Sequence, residues 1–349
     1  MRSQRINYID ALRGFTMTLV VLAHVLSFSF DMRVSFVSEL FVTFRMPMFF
    51  FISGYIAYRS IDAWTREYLA RMLKKKLVVQ IIPATVFMLA FILFLGEKIV
   101  PFMAANGFGG YWFTYTLLVM FIFYYVISLI ARAADSSRLQ DVLLIALAIV
   151  GVGFFVWLVP KENSTLKGFS VLNLCNYFQY FVFGLLARKY QSGFHRALSG
   201  TWLPVVAIVT FVACLYLLFS PSIAERLPKL AQVPLRHELV RYSGLLIVYA
   251  FFFKHAGFFD RDTAFTRSML FIGRRTLDIY LIHFFLVPDL RGLTPYLAPE
   301  GGNMFVIQLV VAFALALLIV GVCLLISEAI RWSDFLGHYL LGAKREGAK

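Results

Sequence analysis

Ten apolar stretches of seventeen to twenty-seven residues follow one another along the chain, separated by short segments rich in charged or turn-forming residues. They run Tyr8–Phe30, Val37–Tyr58, Leu77–Leu95, Trp112–Ala131, Val142–Val159, Val171–Ala187, Leu203–Phe219, Tyr242–Phe259, Leu270–Leu286 and Met304–Ile330. Each is about as long as a helix needs to be to cross a bilayer. The pattern therefore predicts an all-α, polytopic integral membrane protein with about ten transmembrane helices. One segment departs from it: Ile61–Lys76 is too charged to cross and reads as an amphipathic interfacial helix ending in RMLKKK. Between the third and fourth stretches, PFMAANGFGGY predicts a loop or re-entrant cap at the membrane surface. No internal repeat or soluble domain interrupts the series, so residues 1–349 read as a single transmembrane domain with a short cytoplasmic tail over 331–349. The N-terminal MRSQR leads straight into a crossing and reads as no cleavable leader.

Polar positions inside the apolar stretches carry the functional signal, because ionisable groups are expensive in lipid and must face protein or water. The first stretch holds Asp10, Arg13 and His24. Asp10 and Arg13 are three residues apart and share a helix face; Arg13 and His24 are eleven apart, close to three turns, and share that face about 16 Å apart. The second stretch holds Arg45 beside Pro47, which is expected to bend the helix and free a carbonyl. The ninth holds Asp278, Tyr280 and His283, the last two sharing a face. His195, His237, His255 and His338 fall in loops or near span ends and read as solvated or interfacial.

Charge sets the orientation. With the N-terminus inside, 22 of the 33 Lys and Arg residues fall in inner segments and 9 in outer loops, while Arg13 and Arg45 sit within crossings. Both termini are therefore expected in the cytoplasm. His24 then lies about 24 Å from the inner end of its helix, in the outer half of the bilayer, with Arg45 near the same level.

Composition narrows the class further. The chain is 60% hydrophobic and 15% charged, with mean hydropathy +0.78, too apolar for a soluble protein of 349 residues. Its net charge of +14 reads as asymmetry across a membrane, and no basic groove with interleaved aromatics points to nucleic acid. Cys175, Cys214 and Cys323 lie in apolar stretches and read as core thiols. No metal-ligand spacing, phosphate-binding glycine loop, dinucleotide fingerprint or nucleophile elbow is present, so no metal is expected and phosphoryl or redox chemistry is disfavoured.

An imidazole able to take a proton from a hydroxyl, a guanidinium able to hold an anion and a route from the cytoplasm match transfer of an activated acyl group to an alcohol. Arg71, Lys74, Lys75, Lys76 and the Arg274/Arg275 pair stand at the inner face, where donor phosphates would arrive; positive-inside anchoring and anionic lipid account for them equally well. The alternative is a proton-coupled transporter or flippase using Asp10, Arg13 and His24 as a relay, against which stands the lack of repeats and paired broken helices.

At these residues the chain resembles the membrane-bound acyltransferase 3 family, which O-acylates sugars of surface polysaccharides and related glycans. The resemblance rests on YIDALRG followed by His24, on FRMPMFFFISGY, on YWF at Tyr111–Phe113, on NYFQYFVFGLLAR and on LDIYLIH. It implies acetyl-CoA or another acyl-CoA as cytoplasmic donor, with Arg13 and His24 as the essential first-helix pair; Asp10, on the same polar stripe, joins them in the expected catalytic set. A glycan is then the acceptor, in a bacterial inner membrane. Where many members carry a paired-Arg motif, Arg71 and Lys74 stand here, and with Lys75, Lys76 and Arg275 they form the expected donor-binding set. Arg45, Tyr280, His283 and Trp112 form the expected oxyanion or acceptor set. Oligomeric state is open in the sequence.

Overall fold

The computed structural model describes residues 6–31, 43–158, 170–219, 238–297 and 305–343, and all regular structure among them is helical. The cytoplasmic placement expected for the two termini concerns residues 1–5 and 344–349, outside the described residues, as do much of the expected loop charge and His237. The chain divides into two compact units, Met1–Phe49 with Ser192–Leu324 and Phe50–Gln191 with Leu325–Lys349.

In the first unit the central element is the helix Asn7–His24, which continues as a π-helical turn over Val25–Ser29. It is almost entirely enclosed, with fourteen of its eighteen α-helical residues buried. Its closest neighbour is the helix Ala264–Arg274, capped by the Thr263 side chain, which accepts from Thr266 N. The two backbones touch where both sequences offer glycine. A Cβ on Gly14 would come 2.5 Å from the carbonyl oxygen of Met269, and one on Gly273 would run into the carbonyl of Asp10. From there the chain Arg274–Thr294 shadows Asp10–Phe30 in the same direction. Leu290 N donates to Ser29 O at 2.9 Å and the Thr294 hydroxyl to Phe30 O at 2.6 Å. The helices Trp202–Phe219 and Val240–Lys254 pack together in the same unit, with Phe44 seated against Gly244 and Phe211.

In the second unit a similar glycine pair, Gly54 and Gly184, lets the chain after Phe50 press against the helix Val171–Lys189. A Cβ on either would run into the carbonyl of Phe181 or Phe51. The helices Trp112–Ala133 and Ser137–Leu158 pack alongside. Lys189 binds Asp141 at 2.6 Å, and the Gln140 amide donates to Ser128 at 2.7 Å, which satisfies polar groups that lipid would not. Trp64 is buried between Tyr124 and Tyr125, its carbonyl accepting from Arg132.

Several expectations change. Among the described residues five helices are long and apolar enough to cross a membrane, and a sixth if Gln191–Ser199 and Trp202–Leu217, bent by 73°, count as one span. The first, third, fourth, fifth and tenth expected crossings are these five. Val171–Lys189 has the length, but Asn173, Asn176 and Gln179 lower its apolarity. The segment Ile61–Lys76, expected as an amphipathic interfacial helix, is α-helical over Arg66–Lys76 and continues into the third apolar stretch. After a short turn at Ile61–Ala63, Arg66 to Phe94 run as one continuous helical stretch of 29 residues, α-helical over Arg66–Lys76 and Ile82–Phe94 and π-helical over Leu77–Ile81, just ahead of Pro83. The second crossing is described only from residue 43, and its helix starts at Arg45. Pro47 therefore sits in the first turn of that helix, where its missing N–H costs nothing. The expected cap at PFMAANGFGGY contains a helix, Ile99–Asn106, closed by Gly107 at φ 58°.

The ninth apolar stretch is broken. Ala264–Arg274 ends at Arg275, and Thr276–Ile282 begins a new helix that tightens at His283–Phe285. The tail, expected over 331–349, folds as the helix Asp334–Leu341, and Gly342 closes against Val79. His255 is exposed, but His195 is half-buried on the Phe253 ring, 4.0 Å between centres, and meets the Tyr249 hydroxyl at 3.2 Å.

Candidate functional site

The break at Arg275 turns two adjacent arginines toward two different acids. Arg274 Nε reaches Asp10 Oδ2 at 3.4 Å, and Arg275 lies 3.9 Å from Asp278, one helical turn ahead. Arg13 approaches the other Asp10 oxygen at 3.8 Å and donates to the Thr276 hydroxyl at 2.8 Å. Asp10 and Asp278 are 9% and 2% exposed, whereas the three guanidinium side chains retain 22% to 43% of their exposure. Three cations against two enclosed carboxylates leave a net positive, partly open cluster at the start of the first helix. Such a cluster suits an anionic group.

At the other end of the same helix stands His24, where α-helix gives way to π-helix. Such π turns are frequent at functional sites. Its Nδ1 lies 2.7 Å from His283 Nε2, and His283 Nδ1 lies 2.9 Å from the carbonyl oxygen of Ile279. His24 is partly exposed, with the Phe28 and Phe284 rings beside it at 5.5 and 4.8 Å; His283 is fully enclosed. Arg45 is near enough for its charge to act on the His24 ring. Tyr280 is 8% exposed and its ring centre is 6.3 Å from that of His283.

The residues that the sequence singles out therefore fall into separate groups. Arg13, Asp10 and Arg275 assemble at the cluster at the start of the first helix; His24, His283 and Arg45 gather at its other end, with Tyr280 beside His283. Asp10 is fourteen residues from His24, about 21 Å of helix, so it does not reach the ring and can only orient what surrounds it. Trp112, Arg71, Lys74, Lys75 and Lys76 belong to the second unit. There Trp112 packs on Tyr177 and Phe50, with ring centres 5.7 and 6.2 Å away. Arg71, Lys74 and Lys75 are exposed, while the Lys76 ammonium sits 3.6 Å from the centre of the Phe121 ring. Lys76 is thus turned away from its three basic neighbours. The sequence pattern does not single out Thr276, whose only signal is its place directly after the arginine pair, or Phe121, which carries none.

Among the described residues no group of three or more His, Cys, Asp or Glu side chains is placed to hold a metal ion. A family model described as an acyltransferase domain matches residues 6–328, nearly the whole chain and every residue of both clusters. No curated protein and no solved structure matches the chain.

Proposed function

The chain belongs to the acyltransferase 3 family and is a multi-pass membrane acyltransferase; on that premise we propose that it moves an acyl group, acetyl from acetyl-CoA in the first place, onto a hydroxyl of a cell-surface or exopolysaccharide sugar. The observation that carries this reading is the first helix itself. It presents a partly open cationic cluster at Arg13 and a partly open imidazole at His24, about 16 Å apart along one buried helix. A CoA thioester is a long, thin arm with phosphates at one end and the reactive carbonyl at the other, and its phosphates suit the Arg13, Arg274 and Arg275 end. Arg71, Lys74 and Lys75, which the sequence offers as donor-binding residues, are exposed within the second unit.

In the proposed reaction His24 removes the proton of the acceptor hydroxyl as its oxygen bonds to the thioester carbonyl carbon. Arg45 steadies the oxyanion that forms. The carbon–sulfur bond then breaks, and CoA leaves as the thiol with the proton that His24 had taken. The protein works with ten crossings and both termini cytoplasmic, in a bacterial inner membrane.

The test is release of CoA thiol from acetyl-CoA by purified protein in lipid, with a panel of membrane-extracted glycans, comparing wild type with His24→Ala. Glycan-dependent release that vanishes in the variant is expected. Release that persists in His24→Ala removes His24 from the chemistry, and a wild type that neither turns over nor binds any acyl-CoA overturns the reading.

A further inference from the structure

His283 stands in the sequence as a candidate for the oxyanion or acceptor pocket, and its surroundings exclude that use. It is 0% exposed, with Phe284 at 4.1 Å and Tyr280 at 6.3 Å between ring centres, so no acceptor can reach it. Its two nitrogens are nevertheless both engaged. A backbone carbonyl can only accept, so the 2.9 Å approach of His283 Nδ1 to Ile279 O puts the proton on Nδ1. A neutral imidazole has one N–H, so His283 Nε2 keeps its lone pair. A doubly protonated His283 would be an enclosed cation with both N–H groups on neutral acceptors and the Arg45 charge near the pair, an arrangement membrane interiors disfavour.

The lone pair on His283 Nε2 faces His24 Nδ1 at 2.7 Å. That separation is shorter than ring stacking allows and fits a hydrogen bond. The ring planes differ by 8° and the centres are 4.9 Å apart. The two imidazoles therefore meet edge to edge in nearly one plane, where N–H bonds and nitrogen lone pairs point. His24 Nδ1 must be the donor, and His24 Nε2 is left with the free lone pair.

We propose that His283 is a positioning residue that holds His24 in the Nδ1–H tautomer, so that the acceptor hydroxyl is deprotonated at His24 Nε2. The inference rests on the acyl-transfer reading for its chemistry, but its statement about the ring does not. When the acceptor proton moves to His24 Nε2, the second N–H of the resulting imidazolium is already held by His283 Nε2, and that N–H stays where it was. The Nε2 proton goes on to the departing sulfur, so the pair ends as it began. A helix end supplies the fixed point: Ile279 is one turn before His283, and the chain tightens into a 3-10 turn at His283 and holds the ring in place. Burial divides the roles, with the partly open ring meeting substrate and the enclosed one setting its tautomer.

The first test needs no substrate. In protein labelled with ¹⁵N at histidine, in lipid, His24 is expected to show a protonated Nδ1 and a bare Nε2, assigned by loss of the signals in His24→Gln. A protonated Nε2 in the wild type overturns the proposal. In turnover, His283→Leu removes the acceptor and is expected to lower kcat by roughly a hundred- to ten-thousand-fold, as loss of a tautomer-holding partner does elsewhere, with the KM for acyl-CoA unchanged. His283→Gln, whose amide oxygen can accept from His24 Nδ1, should recover at least ten-fold of that loss. Equal rates for Leu, Gln and wild type overturn the proposal, and so does a KM effect without a kcat effect. The expected ring tautomer in a protein that transfers no acyl group would sink the acyl-transfer reading and leave the ring assignment standing.

Discussion

Gly273 lies with its Cα against the carbonyl group of Asp10, too close for any side chain to stand between the two helices. The charge cluster depends on that approach, because Arg274 and Thr276 reach Asp10 and Arg13 only while the backbones touch. Small residues at helix crossings in membranes serve this purpose, since dispersion and polar contacts, more than water exclusion, hold such helices together.

Gly273→Ala is therefore expected to lower stability by about 1–3 kcal/mol through overpacking, and to weaken donor binding by displacing Arg274 and Thr276. Gly257→Ala, where a Cβ meets nothing within 4 Å, is the control and should change neither. Thermal unfolding in detergent, with acyl-CoA titrations at low temperature, measures both effects. Unchanged unfolding and binding in Gly273→Ala would show that the helices are not pressed together here.

The Arg13–Thr276 bond gives a second expectation. Thr276→Val keeps the shape and removes the acceptor, which for a partly exposed charged hydrogen bond costs about 1 kcal/mol. Expressed as donor binding this is roughly a five-fold rise in the KM for acyl-CoA, with kcat nearly unchanged. A fall in kcat alone would detach this end of the helix from the donor.

Arg45 carries the positive charge that acts on the His24 ring, and the sequence offers it as an oxyanion partner. Arg45→Gln should lower kcat by roughly a hundred- to a thousand-fold while leaving acyl-CoA binding, followed by a thermal shift, intact. Loss of binding instead would place Arg45 on the donor.

Lys75 and Lys76 are neighbours in sequence with different surroundings. Lys76→Ala gives up the ammonium's seat over Phe121 and should reduce stability by about 0.5–2 kcal/mol. Lys75→Ala, at an exposed position, should leave unfolding unchanged and affect at most the donor KM. Equal unfolding temperatures for the two variants would contradict the cation–π contact.

Much of the fold and of the site is legible in the amino-acid sequence. The lengths of the apolar runs follow from the cost of placing an unpaired backbone group in lipid, which leaves helices as the local solution. A polar stripe on one such helix is also local arithmetic, so Asp10, Arg13 and His24 stand out by spacing alone. Less legible are the helix boundaries. The basic segment before Leu77 looks separate because its composition changes there, yet hydrogen bonding along a helix does not depend on whether its side chains meet lipid or water. Conversely, Leu270–Leu286 is apolar enough to look continuous, and its backbone breaks at Arg275, where two guanidinium groups turn toward two different acids.

The sequence by itself determined the class of protein, the helix that carries the candidate site and the two ends of that helix at which charge and imidazole stand. The tertiary structure alone decided the partners. His283 meets His24 from 259 residues away, Thr276 meets Arg13 from 263 away, and Gly273 meets the backbone of Asp10. Hydrophobic periodicity fixes which residues share a face of one helix, because that depends on neighbours three and four positions apart. Which other helix that face meets, and in what register, depends on packing among distant segments, and no local pattern records it. The role of His283 is the clearest case: its sequence says only that an imidazole lies deep in a crossing, and the Ile279 carbonyl and the His24 ring decide which of its nitrogens holds the proton.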